Sequence, residues 1–148
     1  MKQTIIAAIL VLVSSFSLIA GGIPSLTANE HVKYEVAMKE KSLKASSTGT
    51  LLISLHPKKG VHINLKPQIN ITIDSSYDVA KIGLLTIPGS DTILNVSKPI
   101  RLPVTLSDRV KPGKIAIKGT IIYYYCSEVE GWCSRFKQPF EFAINVVK

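Results

Sequence analysis

The chain has 148 residues, 46% of them hydrophobic and 19% charged, with a formal net charge of +8. That length holds one ordinary domain. The basic residues are spread without a run of four or more and no recognised binding motif accompanies them, so the charge reads as solvated surface lysines and not as a nucleic-acid footprint.

The chain opens with Lys2, an uncharged run from Ile5 to Ala20, and the small residues of "AGG". This is the order of a secretory signal peptide, residues 1–22, with Ala20 and Gly22 at the specificity positions. Cleavage after Ala28 and an uncleaved anchor are the alternatives, since Ile5 to Gly22 is about the minimum length for a bilayer span. Removing Lys2 leaves 17 basic against 10 acidic residues, or +7. The expected location is periplasmic or extracellular. Outside the cytoplasm an even cysteine count reads first as a disulfide.

Beyond the leader, residues 29–148 read as one β domain. "VKYEVAM" alternates Val32, Tyr34, Val36 and Met38 with Lys33, Glu35 and Ala37. In "TLLISLH", Leu51, Ile53 and Leu55 share one face. "VHINLKPQINITID" keeps Val61, Ile63, Leu65, Ile69, Ile71 and Ile73 in phase, and Pro67 argues for a break or an edge. "IRLPVTL", "GKIAIKGTIIYYYC" and "PFEFAINVV" complete the set, all with period two. Turn chemistry in "HPKKG", "DSSYD", "IPGSD", "VKPG" and "EVEGW" separates them. No stretch has the period of an amphipathic helix. About seven to eight short strands at this spacing predict an all-β fold, an immunoglobulin-like antiparallel β-sandwich.

Both cysteines lie in "YYYCSEVEGWCSRF", Tyr123 to Phe136. By parity, Ile115, Ile117, Ile121, Tyr123 and Tyr125 share a core-like face, and Cys126 falls on the other with Ile122 and Tyr124. After the turn, Phe136, Phe140, Phe142, Ile144 and Val146 are core-like, and Cys133 is again opposite. A bulge at Gly119 would invert the first assignment. Two outward cysteines joined across a short turn differ from the core-crossing bridge of immunoglobulin domains. Closing a loop of about eight residues stabilises by roughly 2.5 kcal/mol in the chain-entropy estimate. Staple and redox pair both remain open at this level. Glu128 and Glu130 oppose thiolate formation while Arg135 and Lys137 favour it.

The segments "GTIIYYYCSEVEGWCSRF", "LPVTLSDRVKPGKIAIKG" and "GVHINLKPQ" resemble, in order, parts of the amino-terminal periplasmic domain of DsbD, the thiol–disulfide interchange protein. That family's domain is immunoglobulin-like. It passes electrons from a membrane-embedded thiol carrier to thioredoxin-fold proteins. The resemblance implies that Cys126 and Cys133 are a redox pair, with Cys133 forming the mixed disulfide and Cys126 resolving it. In an exchange domain of this kind, Tyr124, Tyr125, Trp132 and Phe136 around the pair are expected to form the partner-docking patch. The family's cap loop corresponds to "IPGSDTILNVSK", where Ile93 and Leu94 are the apolar candidates. No cofactor and no small-molecule substrate are implied. The spacing here is C-x6-C, and "SRF" stands after the second cysteine where family members often carry prolines.

The other constellations are weaker. His56 and His62 have outward parity and, with the cysteines, would make a four-ligand metal set, although structural zinc usually takes closer cysteines. His62 and Asn64 in "VHIN" read as supports for a turn or sheet edge. The acceptor triplets at Asn70 and Asn95 are incidental in a chain with a bacterial-looking leader. No nucleophile elbow or paired carboxylates point to hydrolysis.

Overall fold

The computed structural model describes residues 28–74 and 79–148. The leader, residues 1–22, and the tip of the "DSSYD" turn lie outside them. Nine strands follow one another: β1 (Val32–Met38), β2 (Leu43–Lys44), β3 (Thr48–Pro57), β4 (Val61–Asn64), β5 (Asn70–Ile73), β6 (Ala80–Ile82), β7 (Ile100–Leu106), β8 (Gly113–Ser127) and β9 (Trp132–Val147). Among the described residues there is no helix. One sheet has the order β1-β3-β7-β6, the other β2-β9-β8-β4, with β5 also pairing β8. The fold is an all-β sandwich. Pairing is antiparallel except between β2 and β9, which run parallel at Leu43 and Val146.

The period-two pattern explains which faces meet. Leu51, Ile53 and Leu55 of β3, with Ile100, Leu102, Val104 and Leu106 of β7, line the inner face of the first sheet. Opposite them lie Ile117, Ile121, Tyr123, Phe140, Phe142 and Ile144 from β8 and β9, so the two sheets enclose one core. Burying each large apolar side chain contributes about 1.5–3 kcal/mol. β-Branched isoleucine and valine fit such a half-buried pleated surface. Pro67 falls in the break between β4 and β5, where it interrupts no ladder.

β8 and β9 form the longest hairpin of the fold, in unbroken register from Gly113↔Val146 to Ser127↔Trp132. No bulge occurs at Gly119. Glycine serves close approach there: a Cβ would stand 2.5 Å from Phe140 Cζ and 2.6 Å from the Thr72 carbonyl oxygen. The hairpin turns through Glu128–Gly131. Gly131 takes φ +71°, a conformation that suits glycine, and its N–H donates to the Ser127 carbonyl at 2.9 Å.

Candidate functional site

Unbroken register places Cys126 and Cys133 directly opposite each other, one pair before the end of the ladder. They form a disulfide with Cα atoms 4.0 Å apart. Such closeness belongs to a non-hydrogen-bonded antiparallel pair, where side chains approach most nearly. The parity expected from the sequence holds. Tyr123 and Tyr125 enter the core, and the cysteines lie on the outer face of the sheet.

The two sulfurs nevertheless have different surroundings, because their strands do. β8 is an inner strand, flanked by β9 and by β4, which sets His62 opposite Cys126. Cys126 is therefore only 7% exposed despite facing away from the core. β9 has β8 on one side; among the described residues β2 joins its other side only at Val146 and Val147. Cys133, far from that contact, is exposed. The bridge joins a buried cysteine to an exposed one.

Around Cys126 the outer face is polar. Asn64 Nδ2 donates to Cys126 Sγ at 3.0 Å. His62 Nδ1 lies 3.5 Å from Glu128 Oε1, which ties β4 to the hairpin turn. Arg135 stands opposite Tyr124 on β9 and is exposed. At the turn, Ser127 Oγ accepts from the Glu130 N–H at 3.2 Å, and Trp132 Nε1 donates to Glu130. Val129 projects from the tip with 86% of its surface exposed.

The expected docking patch does not form as one surface. Tyr124 is half-buried and shares the cysteines' outer face. Tyr125 is 5% exposed and faces inward. Trp132 and Phe136 are half-buried on that same inward side, their rings 5.6 Å from Tyr125 and 6.0 Å from Tyr123. His31 adds a ring contact to Trp132 at 4.9 Å. Residues adjacent along a strand alternate between faces, so the run "YYY" divides between core and surface.

The loop matched to the cap behaves similarly. Leu94 turns into the core, and its N–H donates to the Ile63 carbonyl at 2.9 Å. Ile93 bridges Asn64 and remains 39% exposed. It borders the outer face beside β4, at the far side of β4 from the disulfide. His56 is on β3 in the other sheet, 3.8 Å from Glu35. It does not join His62 and the cysteines, and no group of three or more metal-ligating side chains occurs among the described residues. Asn64 was legible only as a sheet-edge residue; its contact with sulfur depends on the β4–β8 register, which spacing alone does not reveal.

The chain matches no family model and no curated protein. Among solved structures, the ZirS C-terminal domain is similar at 14% identity over 100% of this chain and 88% of that one, with a TM-score of 0.37. The yeast GGA1 GAE domain shows 15% identity over 78% of this chain and 96% of its own, with a TM-score of 0.41. A lipoprotein from Bacteroides thetaiotaomicron shows 17% identity, 77% and 82% coverage, and a TM-score of 0.31. Likenesses at these scores assign neither a family nor a site.

Proposed function

We propose that this chain is an exported thiol–disulfide exchange domain, passing electrons to or from a thioredoxin-fold protein through Cys126 and Cys133. One observation carries the reading: the disulfide lies outside the hydrophobic core and joins a buried residue, Cys126, to an exposed one, Cys133. Exchange requires a thiolate to reach one sulfur along the S–S axis while the other departs. Asymmetric access sets that order. An incoming thiolate bonds to Cys133 Sγ, the Cys126–Cys133 bond breaks, and Cys126 leaves with the bonding pair. A second thiolate of the incoming dithiol then displaces Cys133, so the dithiol is oxidised and this pair is reduced. Electrons pass onward by the reverse sequence, with Cys133 attacking the oxidised partner and Cys126 resolving. The DsbD-like segments support the same roles.

Trapping tests this directly. Cys126→Ser leaves Cys133 free and should accumulate a covalent adduct with an exported thioredoxin-like protein. Adducts formed only by Cys133→Ser would reverse the order of attack, and none from either variant would overturn the exchange reading.

The second reading is a non-catalytic immunoglobulin-like binding or structural domain, in which the disulfide staples a hairpin. The direct opposition of the cysteines in an unbroken ladder favours it. Reduction potential separates the two. A value near those of thioredoxin-fold proteins supports exchange, whereas one well below about −300 mV marks an inert staple.

A further inference from the structure

We infer that Asn64 is a working residue of the exchange site, whose side-chain amide stabilises the thiolate that Cys126 becomes when Cys133 is attacked. The inference rests on the exchange reading above and deepens it. It starts from the contact between Asn64 Nδ2 and Cys126 Sγ at 3.0 Å.

A disulfide sulfur is a weak acceptor, so an amide N–H aimed at it contributes little in the oxidised protein. Once the S–S bond breaks, the same sulfur carries a full negative charge, and hydrogen bonds to charged acceptors are roughly twice as strong. The contact therefore strengthens as charge develops, the condition under which an interaction speeds a step.

The surroundings make such a donor necessary. Cys126 is 7% exposed, and a covered thiolate loses the water that would stabilise it. The charged and titratable groups facing it are His62 opposite in the ladder, Glu128 beside His62, and Tyr124 and Arg135 on the adjoining pair. His62 is engaged by Glu128, and Arg135 is exposed on β9. Asn64 is the group in hydrogen-bond contact with the sulfur.

Its position is also fixed beforehand. Asn64 pairs with Tyr124 in β8 on one side and bridges Ile93 on the other. The flanking backbone is held as well: Leu65 N–H donates to the Thr92 carbonyl at 2.8 Å and Leu94 N–H to the Ile63 carbonyl at 2.9 Å. A donor fixed in advance needs no reorganisation when charge appears.

The balance of the step is simple. A thiolate, dithiothreitol in the test, bonds to Cys133 Sγ; the Cys126–Cys133 bond breaks; the bonding pair remains on Cys126, which accepts the Asn64 N–H. The second dithiothreitol thiol then releases Cys133 and closes to the cyclic disulfide. Two electrons move from dithiothreitol to the protein. The contact favours Cys126 as leaving group and thereby Cys133 as the atom attacked.

The test uses the whole chain after export, in two measurements. In a Cys133→Ser background, the pH profile of Cys126 alkylation reports thiolate formation directly. Asn64→Ala should raise its midpoint by about one unit, and the near-isosteric Asn64→Asp, which replaces the donor with a negative charge, should raise it further. In the disulfide form, reduction by dithiothreitol at neutral pH should slow by about threefold in Asn64→Ala, because only part of the charge has reached Cys126 in the transition state, and by more in Asn64→Asp. A structural polar role would not separate the two variants in this order. Variants that melt as the parent does, yet keep midpoints and rates within about twofold of it, overturn the inference. A raised midpoint without any trapped thioredoxin-like partner upholds the thiolate contact and sinks the exchange reading. A trapped partner with an unmoved midpoint does the reverse.

Discussion

Asn29 Nδ2 donates a 3.0 Å hydrogen bond to the Tyr123 hydroxyl inside the sandwich, and its Oδ1 accepts the His31 N–H at 2.9 Å. One side chain thus fixes the chain's entry into β1 to the middle of β8. Burial pushes the Tyr123 phenol up to about 12, with the Asn29 hydrogen bond opposing that rise. The folded protein retains a proton that the unfolded chain releases near pH 10. Stability from this group is therefore fully present below about pH 10 and is lost as pH rises through about 12. Tyr123→Phe removes the phenol, should cost about 1 kcal/mol at neutral pH, and should flatten this alkaline decline. Urea unfolding of both proteins between pH 9 and 12 should show the parent losing on the order of 2 kcal/mol more than the variant. Parallel curves for the two proteins would remove Tyr123 as the cause.

A second prediction concerns the point where β5, β8 and β9 meet. At Gly119 a methyl group would stand 2.5 Å from Phe140 Cζ and 2.6 Å from the Thr72 carbonyl oxygen. The ring can turn aside; the carbonyl belongs to a ladder and cannot move without separating Thr72 from its pair at Thr120. Gly119→Ala should destabilise by about 2–3 kcal/mol. Adding Phe140→Leu should not restore the loss, because the backbone contact remains. Chemical denaturation of the single and double variants checks both statements.

The disulfide's contribution to folding should be modest. It closes a short loop at the tip of a hairpin that the register already holds, and it lies on the outer face of a sheet whose inner face is packed. Replacing both cysteines by serine should cost about 2–3 kcal/mol and leave a cooperatively folded domain. A double variant that fails to fold would mark the bond as a structural requirement and favour the staple. Retention of the sandwich, seen by circular dichroism and a cooperative melt, frees the bond for chemistry.

How much of this was legible beforehand depends on what sets each feature. Strand periodicity depends on local alternation, so the buried faces of β3, β7, β8 and β9 could be read residue by residue, and the cysteines' outward parity followed from Ile117, Ile121 and Phe140 pointing inward. The short β2 and its parallel contact with β9 were not legible, since two residues carry no period. The four aromatics of the expected docking patch are near one another in sequence, but alternation divides them: Tyr124 faces out while Tyr125 packs inside. The difference between the two sulfurs was hidden for another reason. It depends on which strand lies beside β8, and His62 and Asn64 come to Cys126 only because β4, distant in sequence, pairs there. Long-range register leaves no mark in local spacing.

That neighbour relationship yields a last prediction about the reduced protein. With the bond opened, Cys126 still lies between β4 and β9, beside His62 and in contact with Asn64, while Cys133 is an exposed residue of β9. Alkylation requires a thiolate that the reagent can reach. If thiolate fractions were equal, access alone would make Cys133 react at least about tenfold faster than Cys126, because a covered thiol reacts only after local opening. The Asn64 contact works the other way, by raising the thiolate fraction of Cys126, so the ratio of the two rates should increase in Asn64→Ala. Limiting iodoacetamide followed by peptide mass mapping gives both rates in one experiment. Faster labelling of Cys126 would show that the hairpin opens when reduced, and the assignment of Cys133 as the attacking thiol would lose its structural basis. Mild denaturant provides the control: it should bring the two rates together by releasing β4 from β8, with Cys126 accelerating and Cys133 changing little.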